Sequence, residues 1–339
     1  MEKYGITGQT NKLLQSYLSN RTQITKIEKM YSKPKNIECG VPQGSVLGPL
    51  LFLIYINEIP EIIPSAKTLL YADDTVLYVS HKNPNTATEI MQHNLNIFYI
   101  WCQKNKLSMN LNKTKTMLLT PSYHKFKNFR VDLDINDTSI GNVNEYKYLG
   151  ITIDKKLNFQ KHIKQVKKNV THKSYILNRI SKFLTGSAAL KIYKTHVLPL
   201  FDNGDLLYHD CNTKLLDMLQ RLQNNCLKIC NNKPKMYNTL LLHKECKIPF
   251  LKERRKAHIR NYSHKYSKCD KHIKKPVRLT RSNKAPVLQI NKPTCKAITN
   301  SIFYKCAIIW NQLGSEIRKI EDEKVFKKMT KKDLQNTIV

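Results

Sequence analysis

Acidic residues are scarce in this chain, Cys-x-x-Cys pairs are missing, and no apolar run approaches the length of a membrane span. Asp and Glu number 25 against 58 Lys and Arg, which leaves a formal charge of +33 over 339 residues. Such an excess repels itself and attracts polyanions, nucleic acid above all, with a strength that falls steeply as salt rises. An A/T-biased coding sequence accounts for lysine over arginine and for abundant Asn and Ile, but not for the shortage of acids. The nine cysteines occur singly, none in a Cys-x-x-Cys pair. This excludes a zinc ribbon and a disulfide framework, and points to reduced thiols in a cytosolic or nuclear protein. Cys226 and Cys230 stand at helical i, i+4 spacing, where two buried thiols on one apolar face are expected. His258, His264 and Cys269 form a loose cluster to which the sequence gives no role. The longest apolar run, Val46 to Ile56, contains Gly48 and Pro49 and falls well short of the ~20 residues a spanning helix needs. The opening MEKYGITGQT is too polar for a signal peptide. The expectation is a protein of the nucleus or cytoplasm, neither secreted nor membrane-bound.

Apolar spacing predicts the elements. Gln9 to Leu18 reads as a short helix, followed by an extended segment that starts at Arg21. Val46 to Ile56 predicts a mostly buried helix, with Ser45 placed to cap it and Pro49 tolerated near its start. Met91, Leu95, Phe98 and Cys102 recur at 4, 3 and 4 residues, an amphipathic helix with Trp101 on its flank. Three strand-like segments follow, NKTKTMLLT, NFRVDLDIN and EYKYLGITID, with the clearest turn at Asn136 and Asp137. After Asp154 the pattern becomes helical among many lysines, at Ile163, Val166, Val170, Leu177 and Leu184, and again at Leu215, Leu219, Leu222, Cys226 and Ile229. Composition places a domain boundary near residue 155. Beyond Lys244 the chain is strongly basic, and residues 255 to 295 offer no pattern until the apolar cluster around Trp310, where a small helical element is expected.

The stretch LLYADDTVLY sets Asp73 and Asp74 among aliphatic, aromatic and β-branched residues that favour strands on both sides. It reads as a hairpin with the two acids at its tip. Three explanations are open: an exposed turn, a cap, or a divalent-metal site. The apolar company favours the last, because charges taken out of water need compensation and hard cations such as Mg²⁺ take carboxylate and phosphate oxygens.

YADD, preceded by GVPQGSVLGPLLF about twenty residues earlier, resembles the reverse transcriptases, in particular those of non-LTR retrotransposons. The resemblance covers nearly the whole chain. It implies an α+β fold, a right-hand polymerase palm with an antiparallel sheet over residues 1–155, a helical thumb over 156–245, and a basic C-terminal region over 246–339. It implies metal-dependent nucleotidyl transfer with two Mg²⁺ or Mn²⁺ ions, an RNA template, a DNA primer and dNTP as partners, and Asp73 and Asp74 as metal ligands. By the same resemblance Pro42, Gln43 and Gly44 lie near the incoming nucleotide and template, with Arg21 in the segment leading to them. Lys113, with Lys115 as competitor, falls in the segment near the departing pyrophosphate. Leu149 and Gly150 belong to the primer grip. IWNQLGSEIRK is similar to a tail motif of these elements, with Gly314 where a proline is usual.

The family also implies a second carboxylate strand, carrying an aspartate, upstream of the helix that opens this chain. No aspartate occurs before Asp73, and none of Glu2, Glu28, Glu38, Glu58 and Glu61 has the strand context. The expectation is a chain that begins after that strand, lacks the fingers, and is inactive in polymerisation by itself. A non-catalytic nucleic-acid-binding protein and a decayed retroelement relic are the alternative readings.

Overall fold

Turn residues and apolar spacing set the elements of the first part of the chain in the computed structural model, which describes residues 2–120, 126, 128–268, 287, 288, 290, 292 and 301–336. The chain divides into two units, residues 1–144 and 145–339. In the first, α1 (Gly8–Leu18) leads into a long β-arm. Its base is the antiparallel pair β1 (Arg21–Gln23) and β4 (Lys35–Ile37), and its tip is β2 (Lys26–Ile27) paired with β3 (Met30–Tyr31). Every residue from Thr22 to Asn36 is exposed. Next come α2 (Gly48–Ile56), α3 (Ile59–Ile62) and the hairpin β5 (Lys67–Tyr71) and β6 (Asp74–Tyr78).

Helix α4 (Pro84–Lys104) begins with Pro84 in its first turn, and the Asn83 side chain accepts the Asn85 N–H at 3.0 Å. Both features suit a helix start, where backbone N–H groups have no partner within the helix. Its apolar stripe serves two cores: Phe98, Trp101 and Cys102 pack with Ile56, Ile59 and Ile63, while Leu95 joins Val131, Leu133, Ile135 and Ile140. Trp101, expected on the flank, is buried and donates Nε1–H to Glu58 Oε1 at 2.8 Å, as a buried indole requires. Short strands complete the unit: β7 (Lys115–Thr116), β8 (Asp134–Ile135), β9 (Thr138–Ser139) and β10 (Gly141–Asn142). β7 runs parallel to β10, and β8 turns back into β9 through Asn136 and Asp137, both with positive φ. The turn is the one its residue types predict, since Asn and Asp tolerate the left-handed region.

Two expectations for this unit are corrected. Helix α2 was expected mostly buried, yet only Gly48, Leu51 and Ile56 are; Leu50, Leu53 and Tyr55 are exposed, because α2 joins the core along one face only. The strands also do not merge into one sheet. Every sheet among the described residues is two-stranded, so the fold is a mixture of packed helices and small open sheets.

The second unit opens on the hairpin β11 (Glu145–Tyr148) and β12 (Ile151–Asp154). Then follow α5 (Gln160–Ser181), α6 (Gly186–Ile192), a π-helical turn Tyr193–Val197, α7 (Leu198–Asp202), α8 (Thr213–Cys230) and α9 (Thr239–Cys246). Ile163, Val166, Val170 and Leu177 of α5 meet Leu219, Cys226 and Leu227 of α8 in the largest core among the described residues. Cys226 and Cys230 are buried there as expected, and burial pushes their thiols up to about 11 and about 12. Part of the basic run after Lys244, in which the sequence offers no pattern from residue 255, is helical: residues Leu251–Tyr266 form α10, which buries Leu251, Ala257, Ile259 and His264. It packs against α11 (Ile302–Gln312) and α13 (Glu323–Asn336), with α12 (Ser315–Arg318) between them in sequence. Trp310, Phe326, Leu288 and Leu313 form the core of this corner.

Candidate functional site

The β5–β6 register pairs Tyr71 with Asp74 and Leu70 with Thr75, which leaves Ala72 and Asp73 as a two-residue turn. Ala72 has φ +50°, the left-handed backbone such a turn demands and one that a residue with a Cβ adopts at a cost. Directly paired residues share a face. Thr68, Leu70, Thr75 and Leu77 form the inner one, and Leu70 and Leu77 pack on Phe98, Trp101 and Ile63. Lys67, Leu69, Tyr71, Asp74, Val76 and Tyr78 share the other, where Leu69 is 51% and Tyr71 62% exposed.

Asp73 and Asp74 are both exposed. This corrects the expectation of two charges buried in a strand. The strand is apolar on both faces, but the core covers only one, so water compensates the carboxylates. Among the described residues neither belongs to a group of three metal-ligand side chains. Their oxygen donors suit a hard cation, and one or two carboxylates completed by water and phosphate oxygens is a usual Mg²⁺ set. Two carboxylates are too few to hold two such ions.

The loop before α2 is tied to the same core through Phe52 and Ile56. The Ser45 N–H donates to the Pro42 carbonyl at 3.3 Å, and Gly44 between them has φ +78°. This is a tight turn whose third residue needs glycine, and it leaves Gln43 exposed with its amide donor and acceptor available. Ser45 Oγ accepts the Gly48 N–H at 3.0 Å, but the N-cap position of α2 is Leu47, so Ser45 ties down the first helical residue from within the turn rather than as the cap expected of it. Arg21 is half-buried. Its Nε donates to the Leu18 carbonyl at 3.2 Å and its other nitrogen to the Gly40 carbonyl, so it staples the base of the β-arm to this loop.

Lys113 is exposed, in a turn where its N–H donates to Asn110. Lys115 lies in β7 with its side chain over Gly141, where an added Cβ would come within 3.2 Å of Nζ. The second unit carries Leu149 and Gly150 as the two-residue turn of the β11–β12 hairpin, with φ +46° and +84°.

One cluster escaped the sequence reading. Asp202, Asp205 and His258 each place a ligand atom within 4.8 Å of the others, a spacing that could hold one metal ion. Asp205 is buried and lies 2.6 Å from His258 Nδ1, while Arg254 grips Asp202 through two nitrogens. The Asp205 carboxylate raises the His258 pKa, and Asp202 already faces the Arg254 guanidinium. The sequence signal was present: two acids three apart in an acid-poor chain, and an Arg and His at i, i+4 on one helix. Of the loose cluster, His264 stacks on Phe326 with ring centroids 4.3 Å apart, and Cys269 lies outside the described residues.

Residues 2–153, which hold the VPQG loop and the YADD hairpin, match the family described as reverse transcriptase (RNA-dependent DNA polymerase). The probable RNA-directed DNA polymerase from transposon BS of Drosophila melanogaster is 28% identical over 262 residues, 74% of this chain and 29% of that protein. The RNA-directed DNA polymerases from mobile element jockey of Drosophila melanogaster and Drosophila funebris are each 27% identical, over 75% and 79% of this chain. The chain spans under a third of the length of these curated relatives, 28% to 30%. No helix of the described residues is long and apolar enough to cross a membrane. Over its first 153 residues the chain therefore matches the reverse transcriptases, and the relatives that extend the match are RNA-directed DNA polymerases of mobile elements.

Proposed function

We propose that this chain is the palm and thumb portion of a retrotransposon RNA-directed DNA polymerase, and that it does not polymerise alone. The observation that carries the reading is the YADD tip: two exposed carboxylates on a hairpin that shares its core with the helix following the VPQG loop. Residues 1–155 correspond to the palm, 156–245 to the thumb and 246–339 to a basic C-terminal region, acting on an RNA template, a DNA primer and dNTP.

Asp73 and Asp74 would hold a divalent ion, which when bound neutralises charge on the attacking and leaving oxygens. Gln43, on a turn that brings backbone close to solvent, supplies a donor and an acceptor to the template or the incoming nucleotide. Lys113 supplies a positive charge for the departing pyrophosphate, and the laying of Lys115 along Gly141 favours Lys113 for this role. Leu149 and Gly150 form the tip of a hairpin suited to holding a primer end. Arg21 contributes by fixing the loop through Gly40 rather than by direct contact.

Inactivity of the isolated chain follows from the ligand count. No aspartate precedes Asp73, and no third strand pairs with β5 or β6 among the described residues. Removing a preorganised electrostatic element costs roughly 10²–10³ in rate. Primer extension on a primed RNA template with Mg²⁺ or Mn²⁺ tests both halves. The purified chain is expected to give no product, and a chimera supplying an upstream aspartate-bearing strand is expected to extend the primer. Asp73→Ala should remove the chimera's activity. Template-dependent synthesis by the chain alone, lost in Asp73→Ala, overturns the claim of inactivity.

A further inference from the structure

Residues 21–37 bury almost nothing. The arm is two successive antiparallel pairs, Arg21–Gln23 with Lys35–Ile37 and Lys26–Ile27 with Met30–Tyr31. Thr25 and Ser32 link the two: the Ser32 N–H donates to the Thr25 carbonyl at 2.9 Å, and the Thr25 N–H to Ser32 Oγ at 2.9 Å. It is therefore an ordered ribbon rather than a loose loop. None of its residues belongs to a core cluster, although it carries Ile27, Met30 and Tyr31, exposed by 70%, 79% and 66%. Large side chains held in water on an ordered ribbon call for a ligand, because burial of such surface is what normally holds a hairpin in place.

Charge decides which ligand. The arm carries Arg21, Lys26, Lys29, Lys33 and Lys35 against Glu28 alone. Lys26 Nζ lies 5.1 Å from the Tyr31 ring centroid, its register partner on the same face. An aromatic ring beside a row of lysines is the combination that binds single-stranded nucleic acid: the ring stacks a base and the ammonium groups follow the phosphates. A protein partner would meet the same lysines at the cost of desolvating them. The base of the arm is stapled by Arg21 to Gly40, two residues before the Pro42 to Ser45 turn.

We propose that the 21–37 arm binds single-stranded RNA, with Tyr31 as the stacking platform and Lys29, Lys33 and Lys35 on the phosphates, and so leads an unpaired template towards Gln43. The last step rests on the polymerase reading given above; the binding itself does not.

Fluorescence anisotropy with a labelled, unstructured 20-nucleotide RNA and the full chain tests it, without metal or nucleotide. Tyr31→Ala is expected to weaken binding about tenfold, the usual effect of removing one base stack, and Tyr31→Phe to keep wild-type affinity. Affinity for an RNA duplex should change less than twofold in either variant. Lys29→Ala, Lys33→Ala and Lys35→Ala together should reduce the slope of log K against log salt by about 2. Circular dichroism checks that each variant folds, which the exposure of these side chains makes the expected result. Unchanged single-strand affinity in Tyr31→Ala overturns the proposal, as does an equal loss on duplex. A concentration-dependent dimer that Tyr31→Ala abolishes, with RNA binding intact, overturns it in favour of a second copy of the chain. Failure of primer extension in the chimera leaves these outcomes unaltered, so the two readings fail separately.

Discussion

At the scale of single residues the YADD tip shows how a site can be legible while its surroundings are misread. Asp73 and Asp74 stand where the sequence places them, at the end of a hairpin. Their burial was misjudged because Leu69, Tyr71, Val76 and Tyr78 look like a second buried face, and only packing decides whether that face is covered. Strain at the tip was not visible either, since Ala72 takes a left-handed φ of +50° with no glycine to announce it. That conformation costs an alanine about 1–2 kcal/mol, and a glycine there loses about 0.4–1 kcal/mol through the greater freedom of the unfolded chain. Ala72→Gly is therefore expected to stabilise the protein by about 0.5–1 kcal/mol, read as a higher urea midpoint at unchanged m-value. A lower midpoint would mean that the methyl group contributes packing that the backbone argument leaves out.

At the scale of elements, legibility follows how much of the core each one carries. Helices α4, α5 and α8 were readable because their buried residues are apolar and recur every three or four positions. Helix α10 was not, because its buried positions include Arg255, Ser263 and His264 within a basic run. The paired segments β7 to β10 are two residues long, too short for alternation to register. Buried histidines on the helices also set a pH dependence. On α9, His243 Nδ1 donates to the Ile248 carbonyl at 2.7 Å and the ring stacks on Phe250 with centroids 3.9 Å apart. Burial lowers the pKa of His243, and also that of His162 on α5. The unfolded chain then binds more protons than the folded one, so their contribution is present above an ordinary histidine pKa of about 6.5 and is lost as pH falls below it. His258, raised by Asp205, acts in the opposite sense: its contribution is complete below that value and is lost as pH rises through the folded pKa. Two groups oppose one. Urea midpoints are expected to fall from pH 7 to pH 5, and His243→Gln to flatten that dependence whatever it costs at pH 7. A midpoint that rises towards pH 5 would show that His258 outweighs both.

At the scale of the whole molecule the charge of +33 acts on stability and on binding with opposite sign. With 58 cationic side chains and 25 acids, more than half of the cations cannot be matched one to one with an acid. The acids form pairs such as Lys3 with Glu61, Arg130 with Asp132 and Lys319 with Glu316, in which both side chains are largely solvated. Pairs of that kind are worth about 0–1 kcal/mol and lose little more when salt screens them. Arg254 with Asp202 is more shielded, and screening weakens it less. Repulsion among the remaining cations extends over the Debye length, about 30 Å at 0.01 M and about 10 Å at 0.1 M, so added salt relieves far more repulsion than attraction. The thermal midpoint is expected to rise when NaCl is raised from about 20 mM to about 200 mM, because the compact state concentrates charge that the unfolded chain spreads out. RNA affinity should fall over the same range, by about 10³ or more where six or more phosphates are contacted. Differential scanning fluorimetry and anisotropy on one preparation read both. A midpoint that drops with salt would show that the ion pairs, not the unpaired cations, govern the electrostatics of the fold.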